Sequence, residues 1–286
     1  MTASSTVWFN GALAERRSAD PSVASNTLHL GIAVFDGLMA YRNGGSWYLH
    51  RGIEHVRRFT TGAARMDLAL PWSADELLDG IWELLETVPP RTHYVRPIAY
   101  RTGPEVFFQV ERDTSSACVF AVPVERDQDE PLACRISGIQ RVPHRAVPAS
   151  WKVSGAYANS YLAAREARAS GYDDGIMLDA GGLIAEASTS NLFFVRDGAL
   201  VTPRLTPDIF PGITRAVVVE LAGALGVPVL EEDLRPAELP AFEAAFLCGT
   251  LSELRPIDRI GDLAYRSEGH PVFRAVLRAF RELTHQ

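Results

Sequence analysis

Short runs in which apolar residues alternate with polar ones fill much of the chain, and turn-forming residues separate them. Alternation with a period of two is typical of a strand with one buried face. The clearest case is Val7–Phe9 and Ala12–Leu13, which are joined by Asn10-Gly11, a dipeptide typical of a hairpin turn. The remaining strands are predicted at Ile32–Arg42, Ser46–His50, Thr92–Thr102, Ala117–Pro123, Cys134–Ile139, Gly175–Leu178, Leu183–Ala187, Leu192–Arg196 and Ala244–Cys248.

Longer segments repeat their apolar residues every three or four positions, which predicts amphipathic helices. In Gly52–Arg65 the apolar face includes Val56 and Phe59. The helix predicted at Ser73–Thr87 begins with a capping box, because Ser73 is followed three residues later by Glu76. Further helices are predicted at Ala156–Ala169, Ile213–Leu225 and Pro271–Leu283, and the first two are closed by Gly171 and Gly226.

The order of these elements bounds the fold. Strands and helices are mixed without strict alternation, which favours an α+β or mixed α/β fold over a doubly wound parallel sheet. The segment Glu125–Pro131 is polar, ends in proline and predicts a linker. We therefore expect a first domain over residues 1–123, a linker over 124–131 and a second domain over 132–286.

The composition is that of an ordinary globular protein, with 47% hydrophobic residues, 22% charged residues and a net charge of −7. The sequence has no run of lysines and arginines, and no apolar stretch approaches the roughly 18 residues of a membrane span. From Met1–Ser5 we expect no signal peptide, and the three cysteines lack the spacing of a metal site. We expect a cytoplasmic protein without nucleic-acid, membrane or metal partners.

One lysine, Lys152, stands among 28 lysines and arginines. Arginine stays protonated in proteins, whereas a lysine that loses its proton can attack a carbonyl and form a Schiff base. Two interpretations are open from this residue alone. Mutational drift replaced the other lysines by arginine, or one amine is retained for its chemistry.

A Schiff-base lysine most often holds pyridoxal phosphate, which needs anion-binding donors at its phosphate and a carboxylate at its ring nitrogen. The sequence Phe210-Pro211-Gly212-Ile213-Thr214 leads into a predicted helix, whose N-terminal amides favour an anion. Gly249-Thr250 follows a predicted strand in a similar way. Both segments are also compatible with an ordinary helix start and an ordinary turn.

Other positions meet the remaining demands of such a site. Glu186 ends an apolar strand, where its carboxylate either pairs with a pyridinium or is simply exposed. Tyr94 and Arg96 share one face of a strand, as in a carboxylate clamp or in an ordinary half-buried tyrosine beside a solvated arginine. Arg58 shares a helix face with His55 and either reaches an anion or remains on the surface.

In order and spacing these motifs resemble those of the class IV (fold type IV) pyridoxal-phosphate aminotransferases, over nearly the whole chain. The resemblance is carried by Trp8-Phe9-Asn10-Gly11, Leu28-His29-Leu30-Gly31, Val34-Phe35-Asp36-Gly37, His55-x-x-Arg58-Phe59, Tyr94-Val95-Arg96-Pro97, Lys152 with Tyr157, Glu186–Phe193, Pro211–Arg215 and Gly249-Thr250. It implies two domains: a smaller N-terminal α/β domain, and a larger C-terminal domain with a mostly antiparallel sheet or barrel.

The resemblance also implies a role for each site residue. Lys152 corresponds to the Schiff-base lysine that acts as base and acid, and Glu186 to the carboxylate at the pyridine nitrogen. The other cofactor-binding positions are Arg58, Ile213, Thr214 and Thr250 at the phosphate, Tyr157 at the ring oxygen, Phe210 on the ring, and Ser188, Thr189, Asn191, Gly212 and Gly249 in the adjoining turns. The substrate-binding positions are Tyr94 and Arg96 at the carboxylate, Phe35 at the side-chain pocket, Leu30, Gly37, and Leu251 as a backbone donor.

By this resemblance the protein is a ping-pong transaminase of the branched-chain type, which moves an amino group from an amino acid or primary amine to 2-oxoglutarate or pyruvate. Leu30, Met39 and Arg101–Val106 depart from the branched-chain pattern, so a transaminase of D-amino acids or (R)-amines remains open. An aminodeoxychorismate-type lyase and a non-catalytic homologue also remain open. The family implies a homodimer with shared active sites, in which Thr102–Phe108 and Leu30 serve the neighbouring site.

Overall fold

The computed structural model of the chain describes residues 3–103, 115–124 and 130–284. These residues form two compact units. The first contains the chain up to residue 125 together with residues 150–156, and the second contains residues 126–149 and the chain from residue 157 onward. The division into sequence domains at 124–131 stays a prediction, and residues 125–129 of its linker lie outside the described residues.

An antiparallel sheet forms the centre of the first unit. Its strands are β1 Thr6–Phe9, β2 Ala12–Glu15, β3 Ala33–Phe35, β4 Leu38–Asn43, β5 Ser46–Leu49, β6 His93–Arg101 and β7 Ser115–Pro123. They run in the order β2-β1-β7-β6-β4-β5, and β3 pairs with β6 beside β4. Three helices accompany the sheet: α1 Asn26–Leu30, α2 Gly52–Arg65 and α3 Ala74–Leu85.

The two longer helices of this unit bury the apolar faces that their sequences predict. Helix α2 buries Val56 and Phe59, and α3 buries Leu77 and Ile81. The two helices contact each other, α2 contacts β3, and α3 contacts β1 and β7. Burial of such side chains is the main source of stability of the unit.

The strand predicted at Ile32–Arg42 is wrong as a single element, because it divides into β3 and β4 at Asp36-Gly37. The backbone N–H of Asp36 donates to the carbonyl of Pro97 (3.0 Å), and the Asp36 carboxylate accepts the N–H of Gly37 (2.7 Å). These hydrogen bonds satisfy the backbone through a change of direction, so the strand does not need to continue.

The second unit is built on a mixed sheet. Its strands are β8 Leu132–Ile136, β9 Asp174–Leu178, β10 Ile184–Ala187, β11 Asn191–Arg196, β12 Ala199–Pro203, β13 Val229–Glu232, β14 Ala244–Gly249, β15 Glu253–Ile260 and β16 Leu263–Ala264. They run in the order β10-β9-β8-β15-β14-β11-β12-β13, with β16 paired to β15. The pairs β8–β9, β8–β15 and β12–β13 are parallel and the others are antiparallel, so the mostly antiparallel sheet is confirmed.

Helices α4 Tyr157–Ala169, α5 Ile213–Ala224 and α6 Pro271–Thr284 complete the second unit. One apolar cluster joins α5 and α6 to a sheet face that carries Phe193 and Phe246. The neighbouring residue Phe194 belongs to a second cluster, with Phe242 and Leu247. Neighbours on one strand point to opposite faces, so the sheet is buried on both sides.

The α+β architecture is confirmed, and the five predicted helices lie where their periodicity places them, within a few residues. Strands β12, β13, β15 and β16 and the short helix α1 were not predicted. Across residues 3–103, 115–124 and 130–284, no helix combines the length and the apolar character that a bilayer crossing requires.

Candidate active site

The lysine of the first unit sits on a turn with an unusual backbone conformation. Lys152 has φ = 54°, in the left-handed region. Its neighbour Val153 forms an antiparallel β-bridge with Val34, and the carbonyl of Lys152 accepts the N–H of Phe35 (3.3 Å). The half-buried side chain places Nζ 5.3 Å from the centre of the Phe35 ring. Strand β3 therefore holds the lysine through its backbone and through an aromatic face.

Two glycines of the first unit bring the backbone against the lysine segment. A Cβ on Gly62, in α2, would lie 2.6 Å from the carbonyl oxygen of Trp151. A Cβ on Gly31, just after α1, would lie 2.7 Å from Cα of Gly155. The N–H of Gly155 donates to the carbonyl of Gly31 (3.2 Å). Side chains at these positions would displace the segment, so the two glycines define its path.

A buried acid holds Arg58 on α2. Asp36 is 0% exposed, and its carboxylate accepts Nε (2.7 Å) and Nη2 (2.8 Å) of Arg58, in a two-pronged ion pair. His55 Nδ1 donates to the same carboxylate at 2.8 Å. Burial raises the pKa of Asp36, but the Arg58 guanidinium and the hydrogen bonds from Arg58 and His55 outweigh burial and hold this pKa well below its usual range. Burial lowers the pKa of His55 in spite of Asp36, so its ring is neutral at neutral pH.

Tyr94 and Arg96, the pair predicted as a carboxylate clamp, are in direct contact. Arg96 Nη2 donates to the Tyr94 hydroxyl at 2.6 Å, and the Arg96 guanidinium packs 4.5 Å from the centre of the Phe35 ring. A Cβ on Gly37 would lie only 1.8 Å from the Tyr94 hydroxyl oxygen, so only glycine admits this tyrosine. Burial raises the pKa of Tyr94 above its ordinary value, and the hydroxyl stays protonated. The structure thus brings Phe35, Gly37, Tyr94 and Arg96 together.

Two other positions of the first unit lie differently. Leu30, at the end of α1, is 42% exposed. Met39 is opposite Tyr94 in the β4–β6 pair and packs in an apolar cluster with Tyr41 and Val124. Of the predicted Thr102–Phe108 loop, residues 104–108 lie outside the described residues.

In the second unit, Glu186 is a buried carboxylate that accepts several hydrogen bonds. It lies in β10, is 5% exposed, and its Oε1 accepts Nε of Arg141 at 2.5 Å. Its Oε2 accepts Nδ2 of Asn191 and the N–H of Phe210, both at 3.2 Å. Asn191 Nδ2 also donates to the carbonyl of Phe210 (2.9 Å). The alternative of an exposed strand-end glutamate is excluded.

The start of α5 is packed against the same asparagine. Gly212 is the N-cap of α5, and a Cβ there would lie 2.1 Å from Asn191 Oδ1. Ile213 and Thr214 form the first turn, and Thr214 is buried. The amides at this end carry the partial positive charge of the helix dipole, so the first turn is suited to an anion.

The segments 188–191 and 249–252 of the second unit meet at a pair of serines. Ser190 Oγ and Ser252 Oγ are 3.0 Å apart, and a Cβ on Gly249 would lie 2.9 Å from Ser252 Oγ. Ser188 is buried and hydrogen-bonds the carboxylate of Asp174. The other predicted positions of these segments and of α4 are Thr189 and Leu251, which are exposed, and Thr250 and Tyr157, which are half-buried.

Each unit carries groups that suit part of a phosphorylated pyridine aldehyde. Such a molecule needs an amine, donors for a phosphate and an ionised carboxylate for its ring nitrogen. Lys152 and Arg58 provide the first two in the first unit, and the start of α5 and Glu186 provide an anion site and the carboxylate in the second. Within the described ranges, no cluster of three or more His, Cys, Asp and Glu suited to a metal occurs. The sequence patterns indicated no role for Asp36, Arg141 or Ser252.

Comparisons with known proteins agree with this chemistry. Residues 33–260 match the family described as Amino-transferase class IV. The chain is similar to the probable branched-chain-amino-acid aminotransferase of Aquifex aeolicus, with 34% identity over 88% of this chain and 83% of that protein. It is also similar to the crystal structure of the branched-chain aminotransferase from Thermoproteus uzoniensis with norvaline (TM-score 0.93, 34% identity, 99% and 95% coverage). The structure from Thermobaculum terrenum in its PLP form has a TM-score of 0.93 and 29% identity, with 100% and 95% coverage.

Proposed function

Because the chain belongs to the class IV amino-transferases, we propose that Lys152 carries the reaction of a branched-chain-type transaminase. The protein is an aminotransferase that uses pyridoxal phosphate. Its amino donor is an L-amino acid with an apolar side chain, and its acceptor is a 2-keto acid such as 2-oxoglutarate. The observation that carries this proposal is the preassembled pair of Arg96 and Tyr94 on Phe35, beside which Lys152 also lies.

The residues that hold the cofactor come from several elements. Arg58, the first turn of α5 with Ile213 and Thr214, and Thr250 bind the phosphate. Glu186 pairs with the ring nitrogen, Tyr157 donates to the ring oxygen, and Phe210 packs on the ring. Gly212 and Gly249 keep the backbone of their turns accessible, and Ser188, Thr189 and Asn191 form the turn that follows Glu186. When bound, pyridoxal phosphate supplies an aldehyde that carries the amino group and an electron-poor ring that accepts the electron pair left by the α-proton.

Lys152 moves the proton. As a neutral amine, its Nζ would accept the α-proton of the substrate as a base and later release it as an acid. Glu186 retains the positive charge at the ring nitrogen, because Arg141 and Asn191 keep its carboxylate in place. The same residues act in the reverse direction when a keto acid enters, which completes a ping-pong cycle.

Arg96 and Tyr94 bind the substrate carboxylate. An arginine that already donates to a phenol is oriented for a second oxygen acceptor, so little conformational freedom is lost on binding. Phe35 lines the side-chain pocket, Gly37 makes room for Tyr94, Leu251 contributes a backbone donor, and Leu30 serves the site of the neighbouring subunit. An amino donor with an apolar side chain suits this set, since Phe35 and Leu30 are themselves apolar.

The apolar Leu30 and Met39 also favour a second candidate function, a transaminase for D-amino acids or (R)-primary amines. The two candidates differ in the stereochemistry of the amino donor, and only the second includes donors that lack a carboxylate. We expect activity with L-leucine and L-valine in a panel of L-amino acids, D-amino acids and both enantiomers of an arylalkyl amine, each with 2-oxoglutarate and with pyruvate. Activity confined to D-amino acids or (R)-amines would select the second candidate, and pyruvate release from aminodeoxychorismate without any amino acceptor would indicate a lyase.

Lys152→Ala tests the assignment of the amine, and Lys152→Arg is its charge-preserving partner. Both variants should lose turnover by several orders of magnitude with unchanged circular dichroism, because neither retains a nucleophilic amine. Borohydride reduction of the loaded wild-type protein should attach the cofactor to the peptide that contains Lys152. Wild-type turnover in either variant, or an adduct elsewhere, would overturn the assignment.

We also propose that the protein acts as a homodimer in the cytoplasm. Leu28 and Leu30, both exposed on α1, present neighbouring apolar side chains that are suited to contact with a second copy. Sedimentation at micromolar concentration should give the mass of two chains, and a monomer that is fully active would contradict the dimer.

A further inference from the structure

Asp36 is fully buried in the first unit, and its carboxylate accepts four hydrogen bonds. Two come from Arg58, one from Nδ1 of His55 at 2.8 Å and one from the N–H of Gly37 at 2.7 Å. A buried carboxylate that lacked these donors would be strongly unfavourable. The Asp36 carboxylate is therefore paired with the Arg58 guanidinium, and the neutral imidazole of His55 donates a further hydrogen bond to it.

The contact with Arg58 restricts that side chain to one orientation. An arginine has several rotatable bonds and five N–H donors in a planar fork. Asp36 accepts Nε at one carboxylate oxygen and Nη2 at the other. These two contacts fix both the plane and the position of the guanidinium. A ligand that binds this arginine meets a group that has already lost its rotational freedom.

Considered by charge alone, Asp36 should have the opposite effect on anion binding by Arg58. Asp36 places a negative charge against Arg58, which on Coulomb grounds weakens the attraction of Arg58 for any anion. Removal of the acid should therefore tighten anion binding if charge alone matters. It should weaken anion binding if the orientation of Arg58 matters more. The direction of the change in anion affinity therefore distinguishes the effect of charge from that of orientation.

We propose that Asp36 is a positioning residue which, together with His55, holds the guanidinium of Arg58 in the orientation that accepts the cofactor phosphate. This inference rests on the proposed role of Arg58 in the phosphate site. His55 acts through Asp36, since its Nδ1 donates to the carboxylate and prevents it from rotating away from the arginine.

The test is the affinity of the full-length apoprotein for inorganic phosphate and for pyridoxal phosphate, measured by titration calorimetry. Asp36→Asn should raise the Kd for both ligands about tenfold or more, since hydrogen bonds to charged groups contribute on this scale. Glu232→Gln is the matched control, because Glu232 forms an ion pair with Arg196 at 2.7 Å in the second unit. Its Kd values should equal those of the wild type. An unchanged or lower Kd in Asp36→Asn would overturn the proposal.

A double-mutant cycle with Arg58→Met separates this inference from the proposed function. Arg58→Met should weaken phosphate binding, and Asp36→Asn should then add no further loss. If Arg58→Met leaves both Kd values unchanged, the phosphate role of Arg58 fails and the inference fails with it. If Arg58→Met weakens binding but Asp36→Asn does not, only the inference fails. An additive loss in the double variant would also refute it.

A second pair of variants covers the case in which Asp36→Asn does not fold. His55→Asn retains a donor near the position of Nδ1, whereas His55→Leu removes it. We expect His55→Leu to weaken phosphate binding and His55→Asn to retain most of it. Equal phosphate affinity in both variants and the wild type would overturn the positioning role.

Discussion

Lys152 carries its amine on a backbone conformation that few residues other than glycine adopt. Such a conformation costs free energy and persists only where the surroundings impose it. Here Val34 bridges Val153, Phe35 donates to the lysine carbonyl, and Gly62 lies against the preceding residue. The position of the amine is therefore set by β3 and α2, which are distant in sequence.

Gly62→Ala should reduce turnover although it favours the helix. Alanine is preferred over glycine in a helix interior by about 1 kcal/mol. A Cβ on Gly62, however, would lie 2.6 Å from the Trp151 carbonyl oxygen and 3.0 Å from Val34 Cγ1, so the lysine segment must shift. We expect kcat to fall about 10- to 100-fold, the cost of a misplacement near 1 Å, in steady-state kinetics.

The control for this variant is Gly223→Ala in α5. A Cβ there meets nothing within 4 Å, so this variant should be slightly more stable than the wild type and equally active. Wild-type kcat in Gly62→Ala, or equal losses in both variants, would contradict the role of Gly62.

At the residue scale, the chemistry could be predicted where it depends on residue type. It could not be predicted where it depends on partners that are distant in sequence. A single lysine stands out in any sequence, and Glu186 is conspicuous after an apolar strand. Arg141 is 45 residues from the glutamate that it contacts, and Asp36 is 22 residues from Arg58. No local spacing links either pair, so only the fold reveals them.

Among the elements, the amphipathic helices were the most predictable. Helix α2 begins at Gly52 and ends at Arg65, as its periodicity indicates, and the capping box defines the start of α3. Strand β15 was missed because Pro256 and its charged residues are typical of a loop. It forms nonetheless, since β14, β8 and β16 supply its partners, and these pairings are not encoded in the strand itself.

Removal of the α3 cap should measurably destabilise the first unit. Ser73 Oγ accepts the Glu76 N–H at 3.2 Å, and the Glu76 carboxylate accepts the Ser73 N–H at 2.7 Å. Ser73→Ala should lower the free energy of unfolding by about 1 kcal/mol, measured by urea denaturation. Ser73→Asp retains an acceptor and should stay near the wild type; if aspartate destabilises as much as alanine, the capping explanation fails.

For the whole molecule, the order of motifs along the chain was more informative than any one of them. Each motif has an ordinary structural explanation alone, but together they indicate the family, which the match over residues 33–260 confirms. What the order did not show is that residues 150–156 pack within the first unit. That placement depends on contacts such as the Val34–Val153 bridge, between positions more than a hundred residues apart.

The first unit also contains three buried histidines, which predict a loss of stability in mild acid. Burial lowers the pKa of His50 to about 4, and burial lowers the pKa of His55 and of His93. In the unfolded chain an imidazole binds its proton below about pH 6.5, whereas the folded groups do so only at lower pH. The unfolded state therefore binds more protons as the pH falls below 6.5, and stability decreases by about 1.4 kcal/mol per pH unit for each proton.

His50→Gln isolates one of these protons. Urea denaturation between pH 4.5 and 7.5 should show a shallower decline of stability than in the wild type, by up to about 1.4 kcal/mol per pH unit below pH 6.5. The difference between the two proteins cancels the contributions of Asp36 and of the other histidines, which both retain. His29→Gln is the control, because His29 is exposed and solvated in both states. If His50→Gln and His29→Gln both keep the wild-type slope, burial of the His50 imidazole does not drive the acid sensitivity.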